Sequence, residues 1–458
     1  MNRLNKILPE QILAFFTKGH ERSIKAKKNV AASLIIKGLD IFIGLLLVPM
    51  VLNYLDQTRY GIWLTMTSIV VWFDFCDIGL GHGLRNKFAE AKSVGDDEKA
   101  KIYVSTSYAI LSAMMLVFFT LFIIVNKFLP WPRILNVEQD INSNLSILAL
   151  IVFGFFALKF VTKLITTIIV ADQKPAICDA IRLSGRILTI AIIYVFTKTI
   201  PGSLIYMGLA YAGLPVLILI LSSFYFYTKS YKKYRPSLKY VDLSYTKDLI
   251  GLGGKFFIIQ IALVVIMSTD NIIISQLYGP KLVTPYQIAH KYFGLLLMIY
   301  VIIISPVWSA TIESFAKKDY KWIKSVVKKL QRILLIFVSI AILMFMVAKN
   351  IYTFWVGKDI EISYLLSAFW MLFVIVGMIN GIYCNIINGI GKIKLQMYVY
   401  TFSMIINIPL SVFFAKTLQL GIEGVILATV ICQSLHLIYL PIQYKKIISD
   451  NAKGIWNK

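Results

Sequence analysis

Apolar runs long enough to cross a bilayer recur from Val30 almost to the last residues of the chain and leave no stretch in which a soluble domain could be built. In hydrocarbon, a backbone N–H or C=O without an internal partner is too costly to tolerate, so each run must close its own hydrogen bonds as a helix. A window of about 20 residues predicts spans at 30–52, 61–83, 102–128, 144–170, 178–198 and 201–227, then 249–276, 284–309, 331–348, 364–387, 393–416 and 420–441. The expected fold class is therefore an all-α integral membrane protein of about 12 transmembrane helices. Only 15% of residues are charged, against about a quarter in soluble globular chains, which argues against a soluble enzyme.

Net charge is +24, and its placement matters more than its size. Lys and Arg in short loops resist translocation. Thirty-two lie on the side of the termini, eight on the opposite side and seven within the spans, so both termini are expected in the cytoplasm. No nucleic-acid partner is expected, since the positive charge belongs to topology. Residues 1–28 lack a signal-peptide cleavage pattern and read as a retained basic segment, either an amphipathic interfacial helix or a basic tail. Cys76, Cys178, Cys384 and Cys432 stand singly, with no CxxC spacing, and point to neither a zinc site nor a disulfide framework.

An internal repeat is visible. Gly83-Leu-Arg-Asn-Lys-Phe88-Ala-Glu-Ala matches Ile312-Glu-Ser-Phe315-Ala-Lys-Lys at an offset of 227 residues, and tyrosine-containing turns (Asn53-Tyr-Leu-Asp and Gln276-Leu-Tyr-Gly-Pro) precede each. Six spans per half is an even number, so both halves insert with one orientation, as parallel repeats about a pseudo-two-fold axis along the membrane normal. The expected organisation is a cytoplasmic segment 1–28, a six-helix bundle 29–227, a basic linker 228–248, a second six-helix bundle 249–445 and a tail 446–458. A cavity between the bundles is the expected place for a substrate.

Charges inside spans are costly, of order 3 kcal/mol each at a helix centre on insertion scales, and so point to function or pairing. The cations are Lys37, Lys159, Lys163, Arg182, Arg186, Lys255 and Lys291. Asp179 stands one turn from Arg182, and Lys37 and Asp40 are three apart, so both are candidate ion pairs. Lys159 and Lys163 form a like-charge pair on a helix without a carboxylate, which favours a cationic cavity meeting water or an anion. Asp40, Asp74, Asp77 and Asp270 are the interior carboxylates and the candidates for ion coupling, with structural salt bridging as the competing role for each. Asp77-Ile-Gly79-Leu-Gly81-His82-Gly83 reads as close helix packing followed by a break.

Enzyme motifs fail. Gly251-Leu-Gly253-Gly254-Lys255 has Leu249 and Phe256 where a phosphate loop needs glycine and Ser or Thr, no HExxH or GxSxG occurs, and no loop could house a catalytic domain. No catalytic residue, metal or cofactor is expected. Across its whole length the chain resembles the polysaccharide-unit (Wzx-type) flippases of the multidrug/oligosaccharidyl-lipid/polysaccharide exporter superfamily, on six plus six spans, Tyr60-Gly61-Ile-Trp63, Asp77-Ile-Gly79-Leu, and Arg85 with Phe88-Ala89. The resemblance implies translocation of an undecaprenyl-pyrophosphate-linked oligosaccharide from the cytoplasmic to the periplasmic leaflet by alternating access, coupled to an ion gradient, for O-antigen, capsule or another surface polysaccharide. Membrane lipids, a polysaccharide polymerase and chain-length machinery are the partners it implies.

The charges suit that implication, since Lys and Arg neutralise a pyrophosphate in low dielectric. Lys37, Lys159 and Lys163 are the expected central anion site, with Arg182, Arg186 and Lys255 near the cytoplasmic entrance and Lys291 towards the outer side. The competing expectation is a proton- or sodium-coupled multidrug antiporter of the same superfamily, whose cavity should be acidic. Seven interior cations against four carboxylates oppose it.

Overall fold

The computed structural model describes residues 21–73, 80–137, 145–250 and 254–457. Along the chain the helices are α1 (Glu21–Leu55), α2 (Gln57–Val71), α3 (Leu80–Ser93), α4 (Asp97–Asn126), α5 (Trp131–Leu135), α6 (Leu145–Thr162), α7 (Leu164–Ala171), α8 (Pro175–Thr199), α9 (Leu204–Gly208), α10 (Leu214–Thr228) and α11 (Thr246–Ile250). Then follow α12 (Gly254–Tyr278), α13 (Val283–Ala316), α14 (Tyr320–Val356), α15 (Tyr364–Ile390), α16 (Lys394–Val412) and α17 (Ile422–Ile448). Among the described residues ten helical segments are long and apolar enough to cross a membrane, which makes this a multi-pass membrane protein.

Two of the twelve expected spans differ, each for a physical reason. α2 has 15 residues, a rise of about 22 Å against a hydrocarbon core of roughly 30 Å, and residues 74–79 lie outside the described residues. α8 is 25 residues long, but Asp179, Arg182, Arg186 and Lys198 keep it from being apolar. The span expected at 331–348 is the apolar part of a 37-residue helix whose first turns carry Lys321, Lys324, Lys328 and Lys329. Of the N-terminal segment 1–28, residues 1–20 lie outside the described residues and 21–28 belong to α1. Helix starts follow local chemistry: the carboxylates of Asp56, Asp96 and Asp319 and the hydroxyl of Ser363 accept from the backbone three residues on.

Contacts divide the chain into two units that do not follow the chain halves. The first comprises residues 1–50, 77–128 and 147–252, the second 51–76, 129–146 and 253–458. In the first, Phe122 stacks on Phe153 at 4.0 Å between ring centres, and Phe88, Phe153, Phe160 and Leu84 are fully buried. α3 and α11 touch at Gly83, where a Cβ would stand 1.8 Å from the Leu249 carbonyl oxygen. Of the glycine run, Gly83 stands within α3 and serves close packing there, while Asp77 to Gly79 lie outside the described residues.

The second unit is built on α12–α17 with α2 and α5 laid against them. The α5 segment is docked: Ser275 Oγ donates to the Leu135 carbonyl at 2.6 Å, and Gln276 Nε2 to that of Arg133 at 2.7 Å. Thr284 Oγ1 donates to the Gln57 carbonyl at 2.7 Å across 227 residues, the offset of the sequence repeat. Equivalent positions of the repeat thus meet each other, as residues nearest a two-fold axis do. Beside them Gly61 lets the backbones close, because a Cβ there would lie 1.8 Å from the Pro280 carbonyl oxygen.

Gly61→Val is expected to destabilise the protein by about 3 kcal/mol or more through overpacking against backbone. Gly38→Ala, whose new Cβ meets nothing within 4 Å, is the control. Thermal unfolding of detergent-solubilised protein, followed by fluorescence-detected size exclusion, reads both; equal midpoints would show that the Gly61 contact is slack.

Candidate functional site

The interior cations are held in different ways. Arg186, on α8, places Nη1 3.1 Å from the Asp40 carboxylate and 2.8 Å from the Asp40 carbonyl. It crosses α1 at Gly44, where a Cβ would meet that Nη1 at 3.0 Å. The i,i+3 pair expected between Lys37 and Asp40 is replaced by this one, because a guanidinium reaches carboxylate and carbonyl together. Arg182 pairs with Asp179 at 3.0 Å, as its spacing predicted. Lys37 is half-buried and Lys159 exposed, and neither makes an ion pair among the described residues. Lys163, at the break between α6 and α7, lies 3.8 Å from the Phe160 ring centre. These five cations belong to the first unit. Lys255 falls among side chains outside the described residues.

In the second unit, Lys291 Nζ donates to Tyr60 Oη at 2.6 Å and lies 5.3 Å from that ring's centre. Tyr60 opens the motif that carried the family resemblance, and its part in holding Lys291 was missed at the sequence level. The pairing spans 231 residues and leaves no local signal.

One turn away on α13 begins a buried polar centre around Asp270 of α12. Asp270 is 3% exposed. Its Oδ2 accepts from the Tyr286 hydroxyl and, at 3.5 Å, from Thr429 Oγ1, while its buried Oδ1 has no partner among the described residues. Asn407 Nδ2 donates to Thr429 Oγ1 at 3.1 Å. Beside them Gln287 Nε2 donates to Asn271 Oδ1 at 2.7 Å, and His290 stacks on Trp370 at 4.6 Å. Among the described residues no Lys or Arg pairs with Asp270. A carboxylate in such surroundings is stable only when neutralised, by a proton or a bound cation. Asp74 and Asp77, the other expected coupling residues, lie outside the described residues, and Asp40 is occupied by Arg186.

The basic linker is ordered against the first unit. Asp172, in the turn before α8, receives Lys92, Lys174 (2.5 Å) and the Tyr231 hydroxyl (2.9 Å). Burial alone would raise the Asp172 carboxyl, but hydrogen bonds from Lys174, Lys92 and Tyr231 together hold it below the usual carboxylate range. Burial, and then the Asp97 carboxylate that accepts from it at 2.5 Å, push the Tyr234 phenol up to about 12. Thr106 on α4 exchanges hydrogen bonds with Asp242 at 3.0 and 3.2 Å, and Lys101 lies 4.0 Å from the Tyr240 ring centre.

A family model described as polysaccharide biosynthesis protein matches residues 26–312, well over half of the chain. The chain belongs to the polysaccharide biosynthesis protein family. A second model, MatE, matches residues 256–413. Among curated proteins, the "Putative O-antigen transporter" of Salmonella typhi is 24% identical over 439 residues, covering 92% of this chain and 95% of the relative. The protein of the same name in Salmonella typhimurium is 22% identical over 403 residues, covering 86% and 90%. A solved multidrug resistance MATE family transporter of the MOP superfamily, in an inward-facing conformation, superposes with a TM-score of 0.70 at 13% identity over 92% of this chain and 95% of that one. This member of the polysaccharide biosynthesis family therefore has the MATE fold, with the charges described above placed upon it.

Two measurements probe these charges. Arg186→Ala leaves the buried Asp40 carboxylate uncompensated and is expected to destabilise by roughly 3 kcal/mol; adding Asp40→Asn should restore much of the loss, and strictly additive effects in the double mutant would argue against a coupled pair. Asp172, with its folded pKa depressed, stabilises the linker fully above its unfolded pKa of about 4 and loses that contribution as pH falls through the lower folded value. Asp172→Asn at neutral pH should reproduce the acid effect, seen as faster amide hydrogen exchange over residues 231–245.

Proposed function

We propose that this chain is a transporter, not an enzyme, that moves an undecaprenyl-pyrophosphate-linked oligosaccharide from the cytoplasmic to the periplasmic leaflet of the inner membrane, with both termini cytoplasmic. The observation that carries this reading is that likeness to proteins named as O-antigen transporters runs almost end to end, over 92% of this chain and 95% of one relative. Cations kept within the spans support it, because a pyrophosphate is the part of such a substrate that hydrocarbon rejects and that Lys and Arg neutralise.

Lys37, Lys159 and Lys163 hold the head group, Arg182 and Arg186 act beside them while retaining Asp179 and Asp40, and Lys255 and Lys291 complete the set of interior cations. Asp270 is the coupling carboxylate: loading and release of a proton or sodium ion change the charge of an otherwise uncompensated group and bias alternating access. The halves 29–227 and 249–445 are the repeating units of that transport cycle, and a surface-polysaccharide polymerase with its chain-length machinery takes the product.

The test is reconstitution into proteoliposomes with a fluorescent undecaprenyl-pyrophosphate-linked oligosaccharide and an imposed proton or sodium gradient. Wild type should translocate it. Lys159→Ala with Lys163→Ala should reduce the rate at least tenfold, the loss of roughly 1.4 kcal/mol or more of head-group stabilisation, and Asp270→Asn should abolish the gradient dependence. Gradient-driven export of organic cations with no lipid movement would assign the chain to the multidrug antiporters instead.

A further inference from the structure

The polar residues of the second unit extend far beyond Asp270, and their arrangement is periodic. On α16, Gln396, Tyr400, Ser403, Asn407 and Ser411 recur every three or four residues, and on α17, Thr429, Cys432, His436, Tyr439 and Gln443 do the same. Each set is one face of a helix. The two faces meet antiparallel: Asn407 Nδ2 lies 3.1 Å from Thr429 Oγ1 and 3.9 Å from Cys432 Sγ, Ser403 Oγ lies 3.4 Å from the Cys432 carbonyl, and the Tyr400 and His436 rings are 4.1 Å apart. From Gln396 to Ser411 this seam is about 22 Å long at 1.5 Å per residue.

All ten side chains are buried, with Ser403, Asn407, Ser411, Cys432, His436 and Gln443 fully so. Polar seams between membrane helices normally act as glue, and glue has its hydrogen bonds made. Here only some of them are made, and unpaired atoms recur along the whole seam. Among the described residues, Asp270 Oδ1, Asn407 Oδ1, Ser411 Oγ, both ring nitrogens of His436, Tyr439 Oη, Gln396 Oε1 and Gln443 Oε1 have no hydrogen-bond partner, and Asn380 Oδ1 on α15 joins them. Each such atom costs about 1–3 kcal/mol if left dry, too much to accumulate along one seam in a stable protein. Ordered water, with two to four polar partners per molecule, is the economical partner for such a row. At the far end Gln443 Nε2 donates to the Lys392 and Trp456 carbonyls at 2.9 and 3.3 Å, beside Lys394, Lys445 and Lys446.

We propose that this seam is a hydrated lane inside the second unit, leading from its basic end to Asp270, and that it carries protons to and from that carboxylate. The lane itself stands on packing alone, whereas its purpose rests on the reading of Asp270 as the coupling group. Its lining selects the proton. Hydroxyls, carboxamides and an imidazole between waters can pass a proton by exchanging hydrogen bonds, whereas a sodium ion needs a shell of oxygens and, in low dielectric, charge compensation along the way. Among the described lining residues Asp270 is the one carboxylate.

Radiolytic hydroxyl labelling of the purified full-length protein in nanodiscs tests the lane, since bound water generates the radical beside buried side chains. Rates normalised for intrinsic reactivity should be several-fold higher at Tyr400, Cys432, His436 and Tyr439 than at Phe153, which is buried against the Phe118 and Phe122 rings. Equal rates would overturn the lane. Proton arrival is read in proteoliposomes as gradient-driven quenching of a pH dye: Ser403→Leu, or Thr429→Val should the first not fold, is expected to slow it several-fold. Labelling as expected with unchanged proton arrival in those variants would overturn the conducting role. If Asp270→Asn keeps gradient-dependent transport while labelling stays high, the lane survives and the coupling assignment falls.

Discussion

Hydrocarbon cannot hydrogen-bond, and the rest of the structure follows from that. Peptide groups are satisfied within helices, so apolar runs become rods, and the remaining variety lies in how rods meet and in which polar side chains are allowed inside. Where side chains are small, backbones touch: Gly83 against Leu249 and Gly61 against Pro280. Where they are charged, a partner is recruited across long separations in sequence, as Arg186 is for Asp40. Where they are polar and neutral, they gather on facing helix stripes in the second unit.

The two units use charge differently. The first concentrates cations, some held by carboxylates and some not, and orders its basic linker with the phenols of Tyr231 and Tyr234 on Asp172 and Asp97. The second keeps, among its described residues, one deeply buried carboxylate amid hydroxyls and amides, with Lys291 held by Tyr60. On the proposed reading, a cargo-binding surface and an ion-sensing centre make opposite demands, one a standing positive field and the other a group whose charge can change, and each unit answers one of them.

Helices were legible from the length of apolar runs, because length and hydropathy suffice when the solvent forbids alternatives. Pairing was legible only where both partners lie within one turn: Asp179 with Arg182 could be read, Asp40 with Arg186 at a separation of 146 residues could not. Lys37 looked the better partner for Asp40 by spacing, but spacing carries no information on the reach of a guanidinium from another helix. Asp270 stood out as a charge in an apolar run, whereas the neutral stripe from Gln396 to Ser411 did not. Its three-and-four spacing was present in the sequence, but each member alone is an ordinary residue of a membrane helix.

The Gly61 contact with Pro280 has a consequence for what sequence motifs can report. A position where any side chain would collide with backbone admits one residue type regardless of what the protein transports. The Tyr60-Gly61-Ile-Trp63 signature is in that respect a record of helix spacing, and it should persist among relatives whose cargoes have nothing in common. Cargo preference must be written elsewhere, at positions free to vary, and those are the positions at which a motif falls silent.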